Sequence, residues 1–122
     1  MNMSSKHDRY KKIIDEISTF FKSENFNFED KSKGELEADL TVSDENSVYL
    51  INIKPSRVDS SDIMDMESLA AKASKKFKNK KIQKIVVSPS KKTKEAKKIS
   101  TDWNIKIIEG YNLEKIKKTL KK

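Results

Sequence analysis

The chain has 122 residues, 34% of them hydrophobic and 38% charged, which suits one water-soluble domain with a modest core. It contains no cysteine, which excludes disulfides and Cys-based zinc sites, and no apolar run near the roughly 20 residues that cross a bilayer. The formal net charge of +8 is unevenly spread: residues 1–67 hold nine Lys+Arg against fifteen Asp+Glu, whereas residues 68–122 hold eighteen Lys against four, so −6 faces +14. A basic half of this kind attracts a polyanion and releases its counterions, while the acidic half suits a cation.

Residues Met1 to Asp8 are polar, so no secretory signal is expected, and a cytoplasmic location fits. Residues 1–7 read as a flexible terminus and 8–122 as the folded domain. A helix is predicted from Asp8 to Glu24, with Tyr10, Ile13, Ile14, Ile17, Phe20 and Phe21 at helical spacing. Phe26 and Phe28 alternate with Asn25, Asn27 and Glu29 in a short strand, and Lys31 to Gly34 is a polar turn. Leu36, Ala38, Leu40 and Val42 alternate with Glu37, Asp39 and Thr41 in a second strand, closed by the turn Ser43 to Asn46. In a third strand Tyr49, Ile51 and Ile53 face one side, and Val48, Leu50, Asn52 and Lys54 the other, before Pro55 ends it.

A helix from Asp62, its expected N-cap, to Lys78 carries the stripe Ile63, Met66, Ala70, Ala73 and Phe77. Met64 and Met66 read as helix packing, and Trp103 as core or rim packing. Ile82 to Val87 is nearly continuous in apolar residues and reads as a buried strand. Ser90 is a candidate cap for a short helix with Ala96 and Ile99, Ile105 to Ile108 form the last strand, and Leu113, Ile116 and Leu120 mark a final helix after a turn at Gly110. There is no glycine-rich phosphate loop, and the one histidine, near the terminus, offers no Ser/His/Asp case.

Asp39, Asn52 and Lys54 are polar interruptions of predicted strands. Asp39 and Asn52 fall on neighbouring strands of a hairpin, and Lys54 follows Asn52 on the same face. A carboxylate and an amide oxygen suit Mg²⁺, and an adjacent ammonium stabilises charge on a phosphate. Ala38-Asp39 followed by Ile51-Asn52-Ile53-Lys54, in the order αβββαβαβα, resembles the PD-(D/E)xK nuclease superfamily, which includes restriction enzymes and archaeal Holliday-junction resolvases. The likeness spans residues 10 to about 108.

That resemblance implies an α/β, restriction-endonuclease-like three-layer fold with a central mixed sheet flanked by helices. It implies a metal-dependent DNA endonuclease using Mg²⁺ or Mn²⁺ and acting as a homodimer, with no membrane partner. Asp39 and Lys54 match the motif's first acid and its lysine, whereas Asn52 replaces the second acid. Glu67, thirteen positions after Lys54 and beside the helix stripe, is the candidate replacement ligand, with Asp39 and Asn52 as the other metal ligands. Asp65 points nearly opposite the stripe. Glu16 is the candidate acid from the first helix, and Glu37 shares the strand face of Asp39. Lys31, Lys33, Lys75, Lys76, Lys91 and Lys92 are the candidate backbone contacts. The lost acid at Asn52 supports a rival reading, a non-catalytic module binding DNA, or RNA, on the same fold. A basic scaffold subunit binding RNA or a protein is the third.

Overall fold

The structure, a computed structural model, describes residues 3–23, 27–30, 38–43, 45–54, 57–89, 93–110 and 113–121. Nine elements follow the expected order: α1 (Met3–Ser23), β1 (Asn27–Asp30), β2 (Leu40–Ser43), β3 (Ser47–Ile53), α2 (Ser60–Lys76), β4 (Lys81–Ser88), α3 (Lys94–Asp102), β5 (Lys106–Glu109) and α4 (Leu113–Lys121). They build one sheet in the order β1-β2-β3-β4-β5. The β1-β2 and β2-β3 pairs are antiparallel, and the β3-β4 and β4-β5 pairs are parallel. Parallel neighbours need a crossover, which α2 and α3 supply. Both crossovers step the same way across the sheet, so both helices lie on one face.

The strict alternation of β3 divides the core in two. Tyr49, Ile51 and Ile53 pack with Ile13, Ile17 and Phe20 of α1 and Ile116 of α4. Val48 and Leu50 pack on the other face with Ile63, Met66 and Ala73 of α2 and Ala96 of α3. The three-layer arrangement and the face assignment of β3 are therefore as expected. No helix among the described residues is long and apolar enough to cross a membrane.

Several boundaries differ from the sequence expectations. Helix α1 begins at Met3, ahead of Asp8, because no glycine or proline interrupts residues 3–8. Strand β2 begins at Leu40, and Ala38-Asp39 form a bend. Ala38 accordingly joins the α2-side core while Leu40 and Val42 face α1. The expected turn Lys31–Gly34, Glu37, Pro55 and Ser90 lie outside the described residues, as do the lysines at 31, 33, 91 and 92. Thr93, not Ser90, caps α3, its hydroxyl accepting from the Ala96 N–H at 3.1 Å. Only the second half of β4, Ile85 to Ser88, is buried. Met66 packs as expected, but Met64 is 55% exposed and Trp103 39% exposed. Gly110 turns the chain at φ 80° into α4, a conformation open to glycine without steric cost.

The N-cap of α2 is Asp59 rather than Asp62. Its carboxylate accepts from the N–H groups of Ser61 and Asp62 at 3.0 and 3.3 Å, and the Asp62 carboxylate accepts from the Asp59 N–H at 2.9 Å. Each acid satisfies a backbone donor that the helix start would otherwise leave open. Hydrogen bonds from Ser61 and from Asp62 hold the Asp59 carboxyl below the usual carboxylate range. A depressed folded-state pKa stabilises above the unfolded value, near pH 4, and that share is lost as pH falls through the folded value. Asp59→Asn, which keeps a capping oxygen, is expected to unfold with a weaker pH dependence below pH 4 than the parent in acid titrations followed by circular dichroism.

Candidate active site

The register of β2 on β3, with Leu40 opposite Ile51, brings Asp39 opposite Asn52 one step further along. No regular ladder bond closes this step. The Asp39 carboxylate accepts from the Ile53 N–H at 2.7 Å, and the Asn52 side-chain oxygen accepts from the Asp39 N–H at 3.2 Å. Each side chain thus replaces a backbone acceptor, which is why β2 starts only at Leu40. An N–H cannot donate to an amide NH₂, so the Asn52 amide is oriented with Oδ1 toward Asp39 and Nδ2 as its other arm.

Lys54 follows β3, and its backbone N–H donates to Val87 O at 2.8 Å, extending the pairing with β4 by one residue. Its ammonium lies 3.0 Å from Asp62 Oδ1 on α2. Burial lowers the Lys54 pKa, but the hydrogen bond and charge of Asp62, aided by Asp39 and Asp65, outweigh it and leave the value above normal. Lys54 is therefore a fixed cation at neutral pH. It can stabilise negative charge and cannot accept a proton.

Asp39, Asn52 and Lys54 line one cavity of about 340 Å³ whose opposite wall is α2. That wall consists of Asp65, Ser68, Leu69 and Lys72, at helical positions i, i+3, i+4 and i+7. Tyr10 reaches the same end of the sheet from α1. Burial raises its phenol pKa, the Asp39 charge raises it further and Lys54 opposes, so Tyr10 stays neutral at physiological pH.

The triad of strand positions is thus brought together, while two sequence candidates lie elsewhere. Glu67 does not reach over the sheet toward Asp39. Its carboxylate accepts from the Lys84 ammonium at 2.5 Å, and Lys84 also donates to Trp103 O at 2.7 Å at the end of α3. The α2 acid at the cavity is Asp65, expected to point away. Glu16 lies in a separate groove with Asp15, Phe20 and Lys117 between α1 and α4. It follows Tyr10 by six positions, about 9 Å along the helix. Lys75 and Lys76 occupy the last turn of α2, and Lys72 is the α2 lysine that lines the cavity. Leu69, 7% exposed, extends the apolar stripe toward Asp65 and was the signal for this second flank.

Mg²⁺ prefers oxygen ligands, commonly takes one or two carboxylates and keeps several waters. Asp39 and Asp65 meet that donor requirement. Asn52 is a weaker fit as a ligand, because its oxygen already serves the Asp39 N–H. Among the described residues no group of three or more His, Cys, Asp or Glu suited to a metal occurs.

No protein-family model matches the chain, and no curated protein sequence does. Solved structures do share its fold. A repair endonuclease from Pyrococcus abyssi superposes with a TM-score of 0.60 at 16% identity, over 75% of this chain and 43% of that one. AF1548, a protein of unknown function, superposes with a TM-score of 0.58 at 16% identity, over 82% of this chain and 57% of that one. The chain thus spans about half the length of each. The fold is α/β and restriction-endonuclease-like, a mixed sheet flanked by helices.

Removing either side chain of the Asp39–Asn52 exchange leaves a backbone N–H without its acceptor. Asp39→Ala and Asn52→Ala are each expected to cost about 1–3 kcal/mol in urea unfolding. The double variant should cost less than their sum, since the two act as one unit.

Proposed function

We propose that the chain is a metal-dependent DNA endonuclease whose reaction centre is the cavity between Asp39 and Asp65. The observation that carries this reading is the convergence of Asp39, Asn52 and Lys54 with an α2 carboxylate in one cavity of a nuclease-type fold. Asp39 and Asp65 are the proposed holders of Mg²⁺ or Mn²⁺, with Asp65 taking the part of the acid lost at Asn52. A bound divalent ion supplies Lewis-acid stabilisation of charge at the phosphoryl group.

The protein's own groups have separable tasks. Lys54, pinned by Asp62 and always protonated, faces the negative charge that grows on the scissile phosphate. Asn52 holds the Asp39 backbone through its oxygen, and its Nδ2 donors suit a phosphate oxygen better than a cation. Tyr10, a neutral phenol, is within electrostatic reach of Asp39 and Lys54. The lysine-rich second half supplies sequence-independent attraction for the phosphate backbone. The same neutral Asn52 favours a second reading, a module of this fold that binds DNA without cutting it.

Cleavage of plasmid and branched DNA with Mg²⁺ or Mn²⁺ separates the two. Asp39→Ala and Lys54→Ala are expected to slow cutting by about 10²-fold or more, and Asp65→Asn to weaken the metal requirement's midpoint. Glu67→Gln should lower stability through the Lys84 pair and leave the rate within about threefold at temperatures below unfolding. Metal-independent binding with no cleavage by the parent protein would instead establish the binding module.

A further inference from the structure

Two lysines, Lys54 and Lys72, line the cavity. Two lysines on the α2 side of the sheet are committed to acids: Lys54, which lines the cavity, to Asp62, and Lys84, on the flank of α2 turned away from the cavity, to Glu67. Lys72 differs. It lines the cavity, it is exposed, and among the described residues no carboxylate pairs with it. Ser68 stands one turn before it on the same helix face, and Asp65 one turn earlier still. The wall therefore runs from a carboxylate through a hydroxyl to an ammonium over two helical turns, about 10 Å. The carboxylate end adjoins Asp39 and Lys54. Among the described lining residues, the ammonium end carries Lys72 and the Ser68 hydroxyl and no carboxylate.

We infer that Ser68 and Lys72 form a second phosphate subsite, holding a backbone phosphate of the DNA strand one to three nucleotides from the phosphate at the Asp39 end. This rests on the DNA-cleaving reading and adds to it a positioning element outside the reaction centre. Strand phosphates recur about every 3.4 Å along a duplex axis, so a 10 Å wall spans more than one of them. Gripping a neighbouring phosphate fixes strand direction and register at the reaction centre without reading bases. It also assigns a task to a lysine that motif matching passes over.

The test is binding of the full chain to a 20-base-pair DNA duplex without divalent ions, across a salt series. Lys72→Ala is expected to weaken binding about eightfold at 0.1 M salt and to reduce the slope of log K against log salt by about 0.9, the value of one released counterion. Lys72→Arg should keep most of both. Lys118→Ala, on α4 across the sheet, should leave the slope unchanged. Scanning the duplex with single neutral methylphosphonates around one bound register should find a position that weakens the parent protein and has no further effect on Lys72→Ala. An unchanged affinity and slope in Lys72→Ala would overturn the subsite alone. A reduced slope with no such position would overturn it too, leaving diffuse attraction. Failure of the parent protein to bind DNA would overturn both the subsite and the function it rests on.

Discussion

Every proposed task at the sheet's end depends on the exchange between Asp39 and Asn52. A carboxylate caps the Ile53 N–H, and an amide oxygen caps the Asp39 N–H. Buried or half-buried backbone donors need acceptors, and here two side chains supply them in place of a ladder. The consequence is geometric. The backbone bends at Ala38-Asp39 before β2, the Asp39 carboxylate stays at the end of β3, and Lys54 follows Asn52 on the same face two residues later. An acid in place of Asn52 would bring a second negative charge against Asp39. The amide avoids that repulsion while still accepting the Asp39 N–H. The site thereby carries one negative charge fewer, and in the proposed reading Asp65 on α2 supplies the second carboxylate.

The ion pairs around this end divide into two kinds. Lys54–Asp62 ties the reaction end of β3 to the first turn of α2, whose start is itself fixed by the Asp59–Asp62 capping box. Lys84–Glu67, with Trp103 O as a third partner, ties β4 to α2 and to the end of α3. With Lys84 largely covered at 16% exposure, the second pair is glue between layers, and removing its acid would leave a cation in a poor dielectric. Partition of the acids in this way leaves α2 with one flank turned to α3 and another turned to the cavity.

Much of this was legible in the sequence because its signals were local. The order of nine elements followed from periodicity, and the facing of β3 from the two-residue period of a strand. Asp39, Asn52 and Lys54 stood out as polar groups in apolar strands. The α2 acid at the cavity was not legible. Asp65 and Glu67 lie on opposite flanks of one apolar stripe, and which flank meets the cavity depends on α3 occupying the other side, a fact of sheet order. Glu16 lies in another groove for a related reason: a helical wheel gives azimuth but not height, and it is the turn of α1 bearing Tyr10 that feels the charge of Asp39. The cap at Asp59 was obscured because two acids three positions apart both satisfy the capping rule, and the structure uses them as a pair.

The most direct measurement is Mn²⁺ titration followed by paramagnetic broadening of backbone amide resonances in the full chain. Broadening that centres on the amides of Asp39, Asn52 to Lys54 and Asp65, and spares those of Glu16 and Glu67, is the expected result. Broadening centred on the α1–α4 groove or on Glu67, or no localised broadening at all, would contradict a metal-dependent centre between β2, β3 and α2.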